Sequence, residues 1–323
     1  MALSLPFDVS LTEALFGKRL MANAPTHKPV MLSEVLTFLD PRPGDTVVDA
    51  TAGCGGYSLA IRERLGARGL LVASDRDPEM ARIANERLKA GAGAPFRVFV
   101  AKFSELPEVL RRAEAPGIDG LTADFGVASP QIDLPERGFS YRVDGPLSMR
   151  MSPGSDLSAE QIVNHWPESE LARVFREYGE ERHARRVARR LCERRRSAPI
   201  RTTLDLAEVI RDAVPPGPRR LHPARRCFQA LRMACNRELE EIDALLSALP
   251  GMLRPGARAV FVSYHSLEDR AIKNHFADGE RRGVYERLTK KVARPSGEEV
   301  ADNPRARSAR LRAARRLEAE TAP

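Results

Sequence analysis

The sequence predicts an α/β fold: a Rossmann-like sheet interrupted by an all-helical insertion. Three observations predict it. Short apolar runs alternate with helical periods in the first third of the chain and again in the last. The alternation stops between about Pro135 and Leu221, where apolar residues recur only at helical spacing. The first, second and fourth apolar runs end in Asp49, Asp75 and Asp124, where a ligand site of an open α/β sheet is expected.

Taken in order, organised sequence begins at "HKPVMLSEVLTFL", after a 1–26 stretch read as a flexible extension. "DTVVDA" is a first buried strand, followed by a glycine cluster and the helix "SLAIRERLG", stopped by Gly66. "GLLVASD" is the second strand. In "RDPEMARIANERLKAG", Asp77 suits the N-cap, Pro78 the first helical turn and Gly91 the stop. "FRVFVAKF" and "IDGLTADFG" are the third and fourth strands. The helical stretch follows: "SAEQIVNHW" opens with a Ser158–Gln161 capping box. Leu171, Val174, Phe175, Tyr178, Val187 and Leu191 keep helical spacing, and "PPGPRRLHP" breaks the chain. "CFQALRMACNRELEEIDALLSAL" reads as one long amphipathic helix and "RPGARAVFVSY" as a fifth strand. "YERLTKKV" and "ARSARLRAARRL" are candidates for two last strands, the latter equally for a basic helix. The expected domains are thus residues 27–134 with 222–323 for the α/β part, and 135–221 for the helical insertion.

The 323 residues suffice for about two domains and a core needing no disulfides. The net charge of +8, carried mostly by arginine, favours an anionic partner, of which nucleic acid is the commonest. Cys54, Cys192, Cys227 and Cys235 form no C-x-x-C pair, so neither a zinc site nor a disulfide framework is read, and free thiols suit a reducing cytoplasm. No run is apolar and long enough for a membrane span, and the N-terminus lacks the pattern of a signal peptide.

Gly53, Gly55 and Gly56 follow the first strand, where bare backbone lets a ligand approach. Asp75 lies 19 residues after Gly56, a spacing that suits an acid accepting from ribose hydroxyls. The pattern is G-C-G-G rather than the longer G-x-G-x-x-G of pyrophosphate binders, and Asp49 precedes it. A carboxylate there repels a pyrophosphate and attracts a cation, which favours S-adenosyl-L-methionine over a nicotinamide dinucleotide. Phe103, after the third strand, suits either stacking on adenine or ordinary core.

The loop "DFGVASPQIDLPERGFS" starts at Asp124, beside the expected cofactor. Methyl transfer to the exocyclic amine of a base needs acceptors for its N–H bonds and a flat wall to hold the ring, because the nitrogen lone pair is delocalised. Asp124, Pro130 and Gln131 are groups of those kinds, and the chemistry needs no metal.

"HKPVML", "GCGGYS", "SDRDP", "DFGVASPQIDLPERGFSYRVDGPLSMRMS", "YGEERHARRVAR", "HPARRCFQALRMACNREL", "VSYHSLEDR" and "DNPRARS" follow one another in order. Together they resemble the bacterial ribosomal RNA small-subunit methyltransferase H family, also called MraW, over nearly everything from His27 to Leu317. The resemblance implies a class I S-adenosylmethionine-dependent fold and methylation of N4 of a cytidine in the decoding region of 16S ribosomal RNA. It also implies a cofactor site at Gly55, Gly56, Tyr57, Asp75, Phe103, Asp124 and Gln131; of these only Tyr57 is not already reached from the residues themselves. The chain departs from the family pattern at Tyr57 (usually His), Phe125 (usually Leu), Ala128 (usually Ser), and Ser148 and Ser152 (usually acids).

The arginines of "RHARRVARRLCERRR", notably Arg185, Arg186, Arg189 and Arg190, suit phosphate contacts that position an RNA without reading it. "NPRARSARLRAARR" is a second basic candidate. His265, with Glu268 and Asp269, is expected either to orient substrate or to serve structure. The rival functions are methylation of another RNA or of DNA, a non-catalytic RNA-binding assembly protein, and a nicotinamide oxidoreductase.

Overall fold

The computed structural model describes residues 29–215 and 222–318. The 1–26 extension and most of the "PPGPRRLHP" break lie outside the described residues. Seven strands form one sheet: β1 (Thr46–Asp49), β2 (Leu70–Asp75), β3 (Phe96–Val100), β4 (Ile118–Asp124), β5 (Leu253–Ser263), β6 (Tyr285–Arg287) and β7 (Arg310–Arg316), in the order β3-β2-β1-β4-β5-β7-β6. The first five pair in parallel. The sheet is nevertheless mixed, because β7 runs antiparallel between β5 and β6. "ARSARLRAARRL" is therefore the strand, and its Leu311, Ala313 and Ala314 are buried.

Successive strand residues point to opposite faces, and each face has its own core. Val48, Val72, Leu121 and Phe261 pack against the helices Leu106–Arg112, Glu238–Met252 and Ser266–Arg281. Val47, Leu71, Ala73 and Val260 pack against Leu32–Leu39, Gly56–Leu65 and Pro78–Ala90. This is a Rossmann-like α/β architecture, both faces of the parallel part being covered.

A third core is built only from helices and the loop before them. Leu147, Ile162, Leu171, Phe175, Val187, Leu191, Leu206 and Ile210 meet Cys227, Phe228 and Leu231 there. One expectation changes at this point. The long amphipathic helix after residue 222 is two helices, Arg225–Asn236 and Glu238–Met252, broken at Arg237, whose φ of 50° is left-handed. The break lets the first half join the helical core and the second pack on the sheet.

Candidate active site

The sheet order reverses at β1: the chain moves outward through β2 and β3, then returns to β4 on β1's other side. Ligands of open α/β sheets bind in the crevice past the strand ends at such a point. The register places the acids around it. Asp49 lies opposite Ala73 on β2 and Thr122 on β4, so Asp75 and Asp124 each stand two residues beyond it on its two flanking strands. Thr51, just past β1, accepts a hydrogen bond from Asp124 N (2.7 Å) and ties the two strand ends together.

The three glycines are bare for different reasons. Gly53 and Gly55 have φ of 50° and 80°, which L side chains rarely adopt, and Gly55 is the N-cap of the helix Gly56–Leu65. Gly56 is bare because the N-terminal segment lies on it: a Cβ there would collide with Pro29 Cγ. Tyr57 fastens the same segment, its buried hydroxyl donating to Val30 O. Tyr57 and Gly56 thus hold Pro29 and Val30 against the start of the helix Gly56–Leu65. The Gly53 amide instead reaches Asp75, donating to Oδ2 at 2.8 Å, while Asp77 N donates to Oδ1 at 2.9 Å. Burial pushes the Asp75 carboxyl up to about 7 despite those two bonds.

Asp49 corrects the expectation. It is fully buried, accepts from Ser58 Oγ (2.5 Å) and Thr51 N (3.2 Å), and offers a ligand no exposed surface. It is a loop tie, with its carboxyl pushed up to about 6 by burial. Phe103 is half-buried at the end of an aromatic row, edge-on to Phe125 (5.5 Å), which stacks on Phe261 (5.5 Å). Phe125 therefore departs from the family pattern inside the core, where it fills space between two rings, and not on the face of the loop.

Of the three groups expected to meet the target amine, Asp124 alone has an acceptor oxygen with no partner among the described residues. Gln131 is buried, its Nε2 donating to Asp77 Oδ2 (2.7 Å) and its Oε1 accepting from Ala128 N (2.9 Å). The Pro130 carbonyl already accepts from Leu134 N (3.1 Å). Asp124 Oδ1 is buried with no hydrogen-bond partner among the described residues. The carboxylate is bonded by the Tyr264 hydroxyl; burial pushes it up to about 8, Tyr264 pulls down, and Glu268 and Asp49 push up. Tyr264 is the residue that sequence reasoning passed over, although "VSYHSLEDR" contains it. Its amide donates to Glu268 Oε2 (2.8 Å), which fixes its backbone.

His265 serves structure. It is the N-cap of the helix Ser266–Arg281, its Nδ1 accepting from Glu268 N (3.4 Å) and its Nε2 lying 2.9 Å from Glu268 Oε1. Glu238, His265 and Glu268 come within 4.8 Å of one another, a grouping that linear spacing did not reveal. Arg232 supplies the positive charge there, donating to both oxygens of Glu238 at 2.8 Å and lying 4.0 Å from Glu268. Arg185, Arg186, Arg189 and Arg190 are exposed on the helix Ala184–Ser197, Arg189 and Arg190 flanking Glu193 at 3.9 and 3.6 Å. In the second basic candidate, Arg305 pairs with Asp133 (2.7 Å) and Arg312 with Asp269 (2.6 Å), so those cations hold structure.

Residues 24–317 match the MraW methylase family. The chain belongs to that family. Similar proteins include the ribosomal RNA small subunit methyltransferase H of Acidobacterium capsulatum, 46% identical over 292 residues, covering 89% of this chain and 97% of that one. The protein of the same name from Geobacter sulfurreducens is 45% identical over 309 residues, covering 90% and 99%. Among solved structures, the Thermotoga maritima SAM-dependent O-methyltransferase aligns with a TM-score of 0.42 at 11% identity, covering 95% of this chain and 72% of that one. No helix among the described residues is long and apolar enough to cross a membrane.

Proposed function

We propose that the protein methylates the exocyclic N4 amine of a cytidine in the decoding region of small-subunit ribosomal RNA, with S-adenosyl-L-methionine as donor. Family membership supports methyl transfer to that RNA. The observation that carries the amine as target is the unpartnered Oδ1 of Asp124 at the topological switch point. The site fits the donor. Asp75 accepts two backbone N–H bonds and keeps lone pairs for ribose hydroxyls, and Phe103 offers a half-exposed ring for adenine. When bound, the donor supplies an electrophilic methyl group on a sulfonium.

The chain's own residues do the rest. Asp124 Oδ1, which has no partner among the described residues, is the atom that accepts an amine N–H. That bond orients the nitrogen lone pair toward the methyl carbon and lets the nitrogen turn pyramidal. With the donor bound, the nitrogen would form its N–C bond at the expense of the donor's C–S bond, and Asp124 or solvent would take the proton that the nitrogen gives up. The cation beside it favours the ionised form of Asp124, against the burial that holds the carboxyl up. Arg185, Arg186, Arg189 and Arg190 hold RNA phosphates, and the substrate is the small ribosomal subunit or its RNA, which places the work in the cytoplasm. The target base is flipped out or already unpaired.

The test is methyl transfer to small subunits from cells lacking this protein, with the RNA digested and read by mass spectrometry. N4-methylcytidine is expected, with turnover reduced about 100-fold or more in Asp124→Ala. Unchanged turnover and donor affinity in that variant would remove Asp124 from the mechanism. Methylation of DNA or another RNA in place of the subunit would reassign the substrate.

A further inference from the structure

The motif Ser74–Pro78 faces two ways. Asp75 turns to the glycine loop, while Arg76 and Asp77 turn to the helical layer. Arg76 Nη1 donates to Asn236 O (2.8 Å), at the end of the helix Arg225–Asn236. Asp77 is fully buried, and its Oδ2 accepts from both Gln131 Nε2 (2.7 Å) and Arg137 Nη2 (2.8 Å). Arg137, whose side chain is 15% exposed, places the same nitrogen 3.1 Å from Arg150 O and 2.8 Å from Met151 O. Met151 N in turn donates to Asn236 Oδ1 (2.8 Å), and Asn236 Nδ2 donates to Met149 O (2.8 Å), within the helical core. Asp77 N donates to Asp75 Oδ1. One residue therefore bonds the acid of the donor site, the loop of the target amine and the helical layer.

The charge of this pair exceeds what local structure asks for. Asp77 caps the helix Pro78–Ala90 through Oδ1, which accepts from Glu79 N (3.1 Å), and a neutral Asn or Ser caps as well. The carbonyls of Arg150 and Met151 need donors, not a cation. A buried ion pair is an expensive way to gain stability, and its best-attested use is to fix one arrangement against others. Here it fixes the helical layer, which carries the exposed arginines, against the strand end that carries Asp75.

We propose that Asp77 and Arg137 are positioning residues that couple donor binding to RNA binding. The proposal rests on Asp75 lying at the donor site. The ion pair makes the donor-bound geometry of the β2 end and the RNA-bound placement of the helical layer one geometry. Each ligand then meets a protein already set by the other.

The experiment measures S-adenosylmethionine affinity with and without small-subunit ribosomal RNA, and RNA affinity with and without S-adenosylmethionine, on the full chain. Wild type is expected to show about tenfold mutual tightening, equal in both directions as linkage requires. Arg137→Gln and Asp77→Asn each reduce it to about twofold or less, Arg137→Lys keeps most of it, and the Asp77→Asn/Arg137→Gln pair loses no more than either alone. A uniformly loosened structure would weaken both affinities and leave their ratio alone. Should a single variant unfold through its orphaned charge, the double variant, which buries none, gives the same reading. Full tightening in the double variant, or none in a wild type that binds donor, overturns the coupling alone. A wild type that binds no donor overturns the assignment of Asp75 and the coupling with it.

Discussion

Tyr264 acts on the site without having been expected to, and the expected Gly56 is bare because Pro29 lies against it. The Tyr264 hydroxyl stays a donor, since burial first and the nearby Asp124 charge next push it well above the usual tyrosine range. It is among the influences that pull Asp124 down from a value that burial raises to about 8. In the free enzyme kcat/KM for the donor should therefore rise with pH toward about 8, as Asp124 ionises. Tyr264→Phe should move that limb to higher pH, and Asp124→Asn should abolish it along with most activity; a limb that stays in place in Tyr264→Phe would sever the link between the two groups. Gly56→Ala drives a methyl into Pro29 and should cost roughly 1–3 kcal/mol, read as a lower urea midpoint. An unchanged midpoint would mean that the N-terminal segment does not hold the helix start. The glycines were visible in the sequence; their separate reasons were not, because φ and close approach are properties of the folded backbone.

The helix Ala184–Ser197 buries Val187, Ala188 and Leu191 and turns Arg185, Arg186, Arg189 and Arg190 outward. The helical period alone made that amphipathic face legible. Replacing Arg185, Arg186, Arg189 and Arg190 together by Gln should flatten the salt dependence of RNA affinity, with donor affinity unmoved. The log–log slope should shrink by about 0.7 for each phosphate that the helix no longer neutralises. A slope equal to wild type would leave this helix as a solvated face. The break at Arg237 was not legible. Both halves keep good helical sequence, and only competition between two separate cores for their apolar faces decides where the helix must turn.

At the scale of the whole molecule, the crevice gathers three carboxyls that burial raises: Asp49 to about 6, Asp75 to about 7 and Asp124 to about 8, from an ordinary 3.8. Each holds its proton more tightly folded than unfolded. Between about pH 4 and 8 the folded chain therefore binds more protons through them, and their contribution makes stability fall as pH rises across that window. Asp124→Asn removes the highest of these steps. Its unfolding free energy without donor, from urea titration, should match wild type near pH 4 and exceed it increasingly toward pH 8, by roughly 1–3 kcal/mol at the top. A gap independent of pH would mean that Asp124 is not buried as described. A cationic donor should reverse the trend, since it favours the charged forms.

The sequence by itself determined the strand–helix alternation, the helical interruption, the acids at the strand ends and the family. Each is written in local periodicity, in turn and capping residues, or in motifs continuous along the chain. The tertiary structure decided which polar atoms are spent and which are free. It spent Asp49, Gln131 and His265 on ties and caps, left the buried Asp124 Oδ1 without a partner among the described residues, and brought Asp77 to Arg137 and Glu238 to His265 and Glu268. Hydrogen-bond satisfaction depends on neighbours distant in the chain. A residue's type states what it can donate or accept, and only packing states whether a partner is already there.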